Sequence, residues 1–244
     1  MVSAHWYTNA TVVTAMEQPR TIHDFYGFPE ELFAFEYPAP GDPDVADLVV
    51  ETVQPRWVGQ DRDSWGLDHG AWSVLAHLFP DADVPVVQLS INAVQPLEYH
   101  VDIGERLAPL LDEGVLVLGS GNVVHNLRRV DWSTPEAGVD WNRRFDEAAF
   151  EVLRDEPGDV LRLLDHPDYQ QAVPTPDHFI PLLHFAGLAS ARGSSIGRWT
   201  EGYSFGSLSM ASYVAGVEAP PTGDGIAASG DAVGTDAPPE QSNI

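Results

Sequence analysis

The sequence contains no cysteine and no lysine. Without cysteine there are no disulfides and no thiolate metal sites, so any metal must rest on histidine and carboxylate. Without lysine, the phosphate-cradling G-x-x-x-x-G-K-[ST] loop does not occur. Positive charge is scarce: 12 basic residues, all arginine, face 37 acidic ones, a net charge of −25. Nucleic acid and anionic membrane would both be repelled, so neither is expected as a partner. No run of 18 apolar residues is present, and nothing in the sequence reads as a membrane span. Met1–Ala10 has neither a basic n-region nor a long apolar h-region, so the expectation is a cytoplasmic protein without a secretory leader.

What is present points to a packed domain. Apolar residues make up 43%, with seven Trp, ten Phe and seven Tyr, which argues against the disorder that acidity alone would suggest. At 244 residues one sizeable domain is expected. The acidity fits solvation in concentrated salt, where a Debye length of about 3 Å near 1 M screens self-repulsion. A halophilic source is the corresponding hypothesis. Thermal unfolding should then shift upward as salt is raised, and full stability after refolding at low salt would contradict it.

Along the chain, Met1–Tyr7 reads as the last part of a strand, and Thr11–Met16 as a second, β-branched one. The loop Thr21–Pro29 follows, with Gly and Pro breaking periodicity and aromatics suited to folding over something. Asp44 is the candidate cap of a helix through Val53. Trp65–Gly70 leads into a helix over Ala71–Phe79, closed by Pro80. Val84–Ile91 reads as a buried strand, Pro96–Glu113 as a helix weakened at Pro109, and Val115–Leu118 as another buried strand. Asp140–Arg154 predicts an amphipathic helix, Gly158–Leu164 starts another, and Val173–His178 leads into an apolar helix over Phe179–Leu188. Tyr203–Val214 reads as a final strand. Beyond Val217 the composition turns to Gly, Pro, Ala, Ser and Asp, which predicts a disordered tail over 218–244. Alternating strands and helices imply a single α/β domain over 1–217, its mostly parallel or mixed central sheet flanked by helices.

With nine histidines and no lysine or cysteine, histidine is the candidate for chemistry. His5, His23, His69, His125 and His178 sit in loops or at strand ends beside Gly, Pro or aromatics. His77, His100, His166 and His184 read as solvated or core histidines. His125 lies just past Gly119-Ser120-Gly121, where glycine permits close backbone approach to a ligand and where open α/β sheets bind ligands. On that stretch alone a turn histidine satisfied by a neighbour serves equally. No H-E-x-x-H exists, and the dinucleotide fingerprint fails because position 124 is Val. Gly193–Gly197 matches G-x-S-x-G, but with a helix before it and none after it reads as a plain loop. A site assembled from distant histidines suits Zn or Fe.

The segments SAHW (3–6), TAMEQPRTIHDFYGFPEELF (14–33), YPAPGDP (37–43), WGLDHGAWSVL (65–75), PVVQLSI (85–91), GSGNVVHNLR (119–128), PTPDHFIPLL (174–183) and FGSLSM (205–210) occur in this order. Together they make the chain, from residue 1 to about 214, resemble the DOPA 4,5-dioxygenase-type extradiol ring-cleavage enzymes of the class III extradiol superfamily. The resemblance implies a dioxygenase that opens a small, DOPA-like catechol with O₂ at a mononuclear non-haem metal. It implies His5 and His178 as metal ligands, His125 as acid–base that can also touch the metal, and His69 as a second catalytic histidine against the substrate. His23 and Asn126 are the candidates for substrate contact. The metal is expected to be one divalent ion per chain, Fe(II) for O₂ chemistry, with Zn(II) as an alternative bound ion. The expected partners are a small aromatic diol and O₂, and a homo-oligomer stays open.

Family members begin with a strand and loop carrying an HGSP-like segment, whose histidine is the first metal ligand. That segment has no counterpart here. The resemblance therefore implies one strand–crossover unit, on the order of thirty residues, ahead of Met1, lost either by a misassigned start or by a genuine truncation. The alternatives to a ring-cleaving enzyme are a zinc-dependent hydrolase or lyase on the same scaffold, or an inactive truncated homologue.

Overall fold

The structure is a computed structural model describing residues 1–217. The segment 218–244, read from sequence as a disordered tail, lies outside the described residues. The strands are β1 (Val2–Thr8), β2 (Val12–Thr14), β3 (Arg20–Thr21), β4 (Gly59–Asp61), β5 (Gly66–Leu67), β6 (Leu89–Asn92), β7 (Gly119–Ser120), β8 (Ile196–Thr200), β9 (Tyr203–Ser204), β10 (Leu208–Ser209) and β11 (Ser212–Ala215). The helices are α1 (Glu30–Phe33), α2 (Pro43–Thr52), α3 (His69–Leu78), α4 (Leu97–Leu107), α5 (Asp140–Asp155), α6 (Tyr169–Ala172) and α7 (Ile180–Arg192).

The central sheet runs β4-β2-β6-β1-β7. β1 is parallel to both of its neighbours, β2 is parallel to β4, and only the β2–β6 pair is antiparallel. The sheet is therefore mixed and mostly parallel, with helices around it, as the alternating pattern predicted. β1 is buried at Val2, Ser3, Ala4 and Trp6, consistent with a strand covered on both faces. α4 and α7 pack together over this sheet, and their apolar faces join β1, β2 and β6 in the main core. A second core gathers Phe25, Tyr37, Leu67, Ala71, Trp72 and Leu75 beneath the loop 22–29. That smaller core holds the start of α3 against β1.

Several local readings are corrected. The cap of α2 is Asp42, which accepts from the amides of Asp44 and Val45, because Pro43 is already preset for the first helical position. Of Val84–Ile91 only Leu89–Ile91 enters a ladder; Val86 and Gln88 bond instead to the Pro40 carbonyl and the Thr14 hydroxyl. Val115–Leu118 precedes its ladder rather than forming it: pairing with β1 is made by Gly119 and Ser120, with Leu118 accepting from the Val2 amide. Tyr203–Val214 is three strands, not one. Phe205 and Gly206 both have positive φ, 50° and 77°, and turn β9 back onto β10. β11 pairs with β8 (Ile196–Thr200), which takes in Ile196 and Gly197, the last two residues of the segment read as a plain loop, because Ala215 and Val214 pair with them.

His100 and His184, both read as core histidines, face each other between α4 and α7. They are 1% and 3% exposed, with ring centroids 5.1 Å apart. Burial pushes His100 down to about 4; burial, then the neighbouring His100, pushes His184 down to about 3. Folded, both rings are neutral, whereas the unfolded chain takes up protons near pH 6.5. Their contribution to stability is thus complete above about pH 6.5 and is lost as pH falls toward 4 and below. His100→Leu should remove about one proton from the pH dependence of unfolding between pH 7 and 4. An unchanged dependence in thermal or urea unfolding would contradict this.

Candidate metal and catalytic site

His5 is the centre of the site because of where β1 lies. The strand sits between two parallel neighbours, and His5 projects from its middle, on the same side as Ser3 and Tyr7. The turn at 68–70 then closes on it. The Asp68 carboxylate caps α3 through the Ala71 amide, accepts the Ser3 hydroxyl at 2.7 Å and also takes the Gln88 side-chain amide. This buried anchor ties the N-terminus of α3 to β1. Gly70 is required there: a Cβ would stand 2.6 Å from both the His5 ring and the Ser3 hydroxyl. His69, between capping residue and glycine, therefore lands beside His5, with ring centroids 3.9 Å apart.

Asp24 joins the two rings. One of its oxygens lies 3.1 Å from His5 Nδ1; the other takes His69 Nδ1 at 2.9 Å and the His69 amide at 2.9 Å. Burial pushes the Asp24 carboxyl up, but the hydrogen bonds from His5 and His69 outweigh it and hold the group well below the usual carboxylate range. Sequence reasoning missed this residue, although it lies inside the quoted TIHDFYGF segment. In extended backbone, neighbours point to opposite sides. Asp24 faces the histidines, while His23 turns away and donates from Nε2 to the Phe35 carbonyl at 2.7 Å, near the Trp72 ring.

On the other side of His5 lies His178, at a ring-centroid distance of 5.2 Å. Its Nδ1 meets the Asp177 carboxylate at 2.5 Å. Burial, opposed by Asp177, lowers the His178 pKa; the Asp177 carboxyl, despite its own burial, is held low by the hydrogen bond from His178. The 119–121 turn packs directly against this residue. The Asn122 amide donates to the His178 carbonyl at 3.0 Å, and a Cβ on Gly121 would come within 2.4 Å of that same oxygen. The glycine there permits close backbone approach, here to the histidine-bearing loop.

His125 stacks on His178 with centroids 3.6 Å apart and planes 2° from parallel. Its amide donates to the Ala172 carbonyl, and it bridges to Leu208, so the ring is fixed from two sides. Burial, then His178, pushes His125 down to about 3, and the ring is neutral at physiological pH. Its Nε2 is buried without a hydrogen-bond partner. Asn126 is also buried. Its side-chain amide donates to the Gln171 carbonyl at 2.7 Å, while its Oδ1 stays unpartnered. It precedes the 3₁₀ turn Leu127–Arg129 but makes no side-chain capping bond to it.

A cleft of about 380 Å³ opens over these groups, lined by His5, Tyr7, His125, Asn126, Asp177 and His178 among others. Of the residues singled out from sequence, His5, His69, His125 and His178 come together, Asn126 lines the cleft, and His23 does not. His77, His100, His166 and His184 are all elsewhere. The group fits a divalent ion by its donor chemistry, with imidazole nitrogen and carboxylate oxygen and no thiolate. Ligand atoms of His5, Asp24 and His69 lie within 4.8 Å of one another, and the unpartnered His125 Nε2 is the kind of orphan a bound ion or substrate satisfies. Among the described residues, no helix is long and apolar enough to cross a membrane.

A family profile described as the catalytic LigB subunit of aromatic ring-opening dioxygenase matches residues 1–214. The chain is 45% identical over 216 residues to 4,5-DOPA dioxygenase extradiol of Escherichia coli (strain K12), covering 87% of this chain and 79% of that protein. It is 34% identical over 221 residues to 4,5-DOPA dioxygenase extradiol of Beta vulgaris, covering 87% and 80%. A crystal structure of an uncharacterized protein from Escherichia coli K12 matches the fold with a TM-score of 0.75 at 41% identity, over 87% of this chain and 83% of that one.

Proposed function

Since the chain belongs to the LigB family of aromatic ring-opening dioxygenases, we propose that this enzyme opens a small, DOPA-like catechol with O₂ in the cleft between His5 and His178, with Fe(II) as its working metal. The observation that carries this reading is the pairing of imidazoles with carboxylates. His5, His69 and His178 each turn Nδ1 to an aspartate, which makes Nδ1 the protonated nitrogen and leaves Nε2 free as ligand or base. Both Asp24 oxygens are already engaged, so Asp24 acts on the ion through the histidines it orients.

His5 and His178 would hold the metal. A bound divalent ion would lower the pKa of the catechol hydroxyls and supply the position at which O₂ reacts, a redox task that suits Fe(II) and not redox-inert Zn(II). The remaining work belongs to side chains. His125 is stacked parallel on His178, and in-plane lone pairs of parallel rings do not converge on one point, so its role is proton transfer. Neutral His125 accepts a catechol proton and returns it as the ring opens. His69, oriented by Asp24 and packed beside His5 behind the cleft wall, is the second histidine assigned to the substrate. In the net reaction the carbon–carbon bond beside the diol breaks, both atoms of O₂ enter the product, and the new ends are an aldehyde and a carboxylate.

Anaerobic reconstitution with Fe(II), followed by O₂ uptake with a panel of catechols, tests the reading. One O₂ consumed per catechol, with an absorbing ring-opened product, is expected. A protein that holds Zn(II) tightly and consumes no O₂ after iron loading would favour the hydrolase or lyase reading instead.

A further inference from the structure

We propose that Arg128 is a specificity-determining residue: it receives a carboxylate on the substrate's side chain, so that the preferred catechols are those bearing an anionic substituent. This rests on the catechol reading above and names the substrate class for the same cleft.

The argument begins with the scarcity of positive charge. Of the 12 arginines, ten have a carboxylate, carbonyl or side-chain amide partner: Arg20, Arg56, Arg62, Arg106, Arg143, Arg144, Arg154, Arg162, Arg192 and Arg198. Among the described residues only Arg128 and Arg129 make no such contact. Arg20, Arg62 and Arg143 are held by a carbonyl or side-chain amide instead of an acid; Arg128 and Arg129 have neither kind of partner. The two occupy different places. Arg128 lines the cleft that holds His5, His125 and His178, and it is the one arginine that does so; Arg129 does not line it. Arg128 belongs to the short 3₁₀ turn Leu127–Arg129, which directly follows the cleft-lining residues His125 and Asn126.

The surroundings suit a carboxylate. Guanidinium is a planar fork of donors that matches a carboxylate with two parallel hydrogen bonds. Thr175 and Tyr7 add hydroxyls to the same cleft wall. The other charged group there, Asp177, is already engaged by His178. Against an overall charge of −25, which repels an anionic substrate at long range, a local cation at the cleft is what makes such a substrate admissible.

The test compares dihydroxyphenylpropionate with its methyl ester, which keeps the ring and chain and removes the charge. KM is measured on the Fe(II)-loaded protein, and Kd under anaerobic conditions by tryptophan fluorescence, at fixed ionic strength. Loss of a charge-assisted hydrogen bond corresponds to roughly ten- to a hundredfold in affinity. In Arg128→Gln the preference for acid over ester should fall by at least about tenfold relative to the wild type, in KM and Kd alike. Arg129→Gln, which removes the same charge one residue away, should keep the wild-type preference. An unchanged preference in Arg128→Gln overturns the proposal, and so does an equal loss in Arg129→Gln, since that would report only the general field. If the wild type binds the acid in an Arg128-dependent way but cleaves neither compound, the carboxylate site stands and the ring-opening reading falls. If it cleaves both and Arg128 is indifferent, the reverse holds.

Discussion

His5→Ala should abolish both stoichiometric metal binding and ring opening. His5 is the one side chain in contact with both halves of the site: Asp24 and His69 on one side, and the His178 ring 5.2 Å away on the other. Removing it takes away a ligand and also leaves one Asp24 oxygen without its partner. The carboxylate would then lose part of the hydrogen bonding that outweighs its burial, and His69 would lose the neighbour that fixes its ring. The measurement is metal content after Fe(II) or Zn(II) loading and desalting, with circular dichroism to confirm the fold. The wild type should retain about one ion per chain, and His5→Ala close to none. His5→Gln, which refills most of the volume, should behave the same way. Asp24→Asn leaves both imidazoles in place but removes the charge that orients them, and should weaken metal binding by about 10- to 100-fold. Full retention of the ion in His5→Ala would refute the assigned centre.

His125→Ala should lower kcat by about 10²- to 10⁴-fold, the usual effect of losing a general acid–base, while keeping the metal. The split between activity and metal content is what separates its role from that of His178. His125 packs flat against His178, so simple truncation also removes a stacking partner. His125→Phe restores a flat ring without a proton-accepting nitrogen. If proton transfer is the role, the phenylalanine variant should be as slow as the alanine one. Recovery of wild-type turnover in His125→Phe would mean that the ring serves only to pack His178.

The parts of this molecule that were readable from sequence are those fixed by local pattern. The amphipathic helix at Asp140–Asp155 announces itself by period, and Trp65–Gly70 reads as the lead-in to the helix that follows it. The four converging histidines were also readable, from their positions beside Gly, Pro and aromatics and from the resemblance of the surrounding segments. What was not readable depends on long-range pairing. β7 is two residues long and is a strand only because β1 lies beside it. Phe205 adopts positive φ, which its side chain does not favour, because the turn between β9 and β10 is over-determined by bonds to Pro135 and Asp131. Asp24 was overlooked in favour of its neighbour His23 because composition marks histidine as the reactive type, while side-chain direction in an extended loop decides which of two neighbours enters the site. Arg128 gave no signal either; its place in the cleft wall, without a polar partner of its own, is visible only in the folded chain.

The central claim is that this chain inserts both atoms of O₂ into a catechol. Its most direct test is a single-turnover reaction of the Fe(II)-loaded protein with catechol under heavy-isotope O₂, followed by mass spectrometry of the product. The expected product is ring-opened and carries both labelled oxygens, less whatever the aldehyde exchanges with water. A product that carries label from water alone, or none at all, would contradict it.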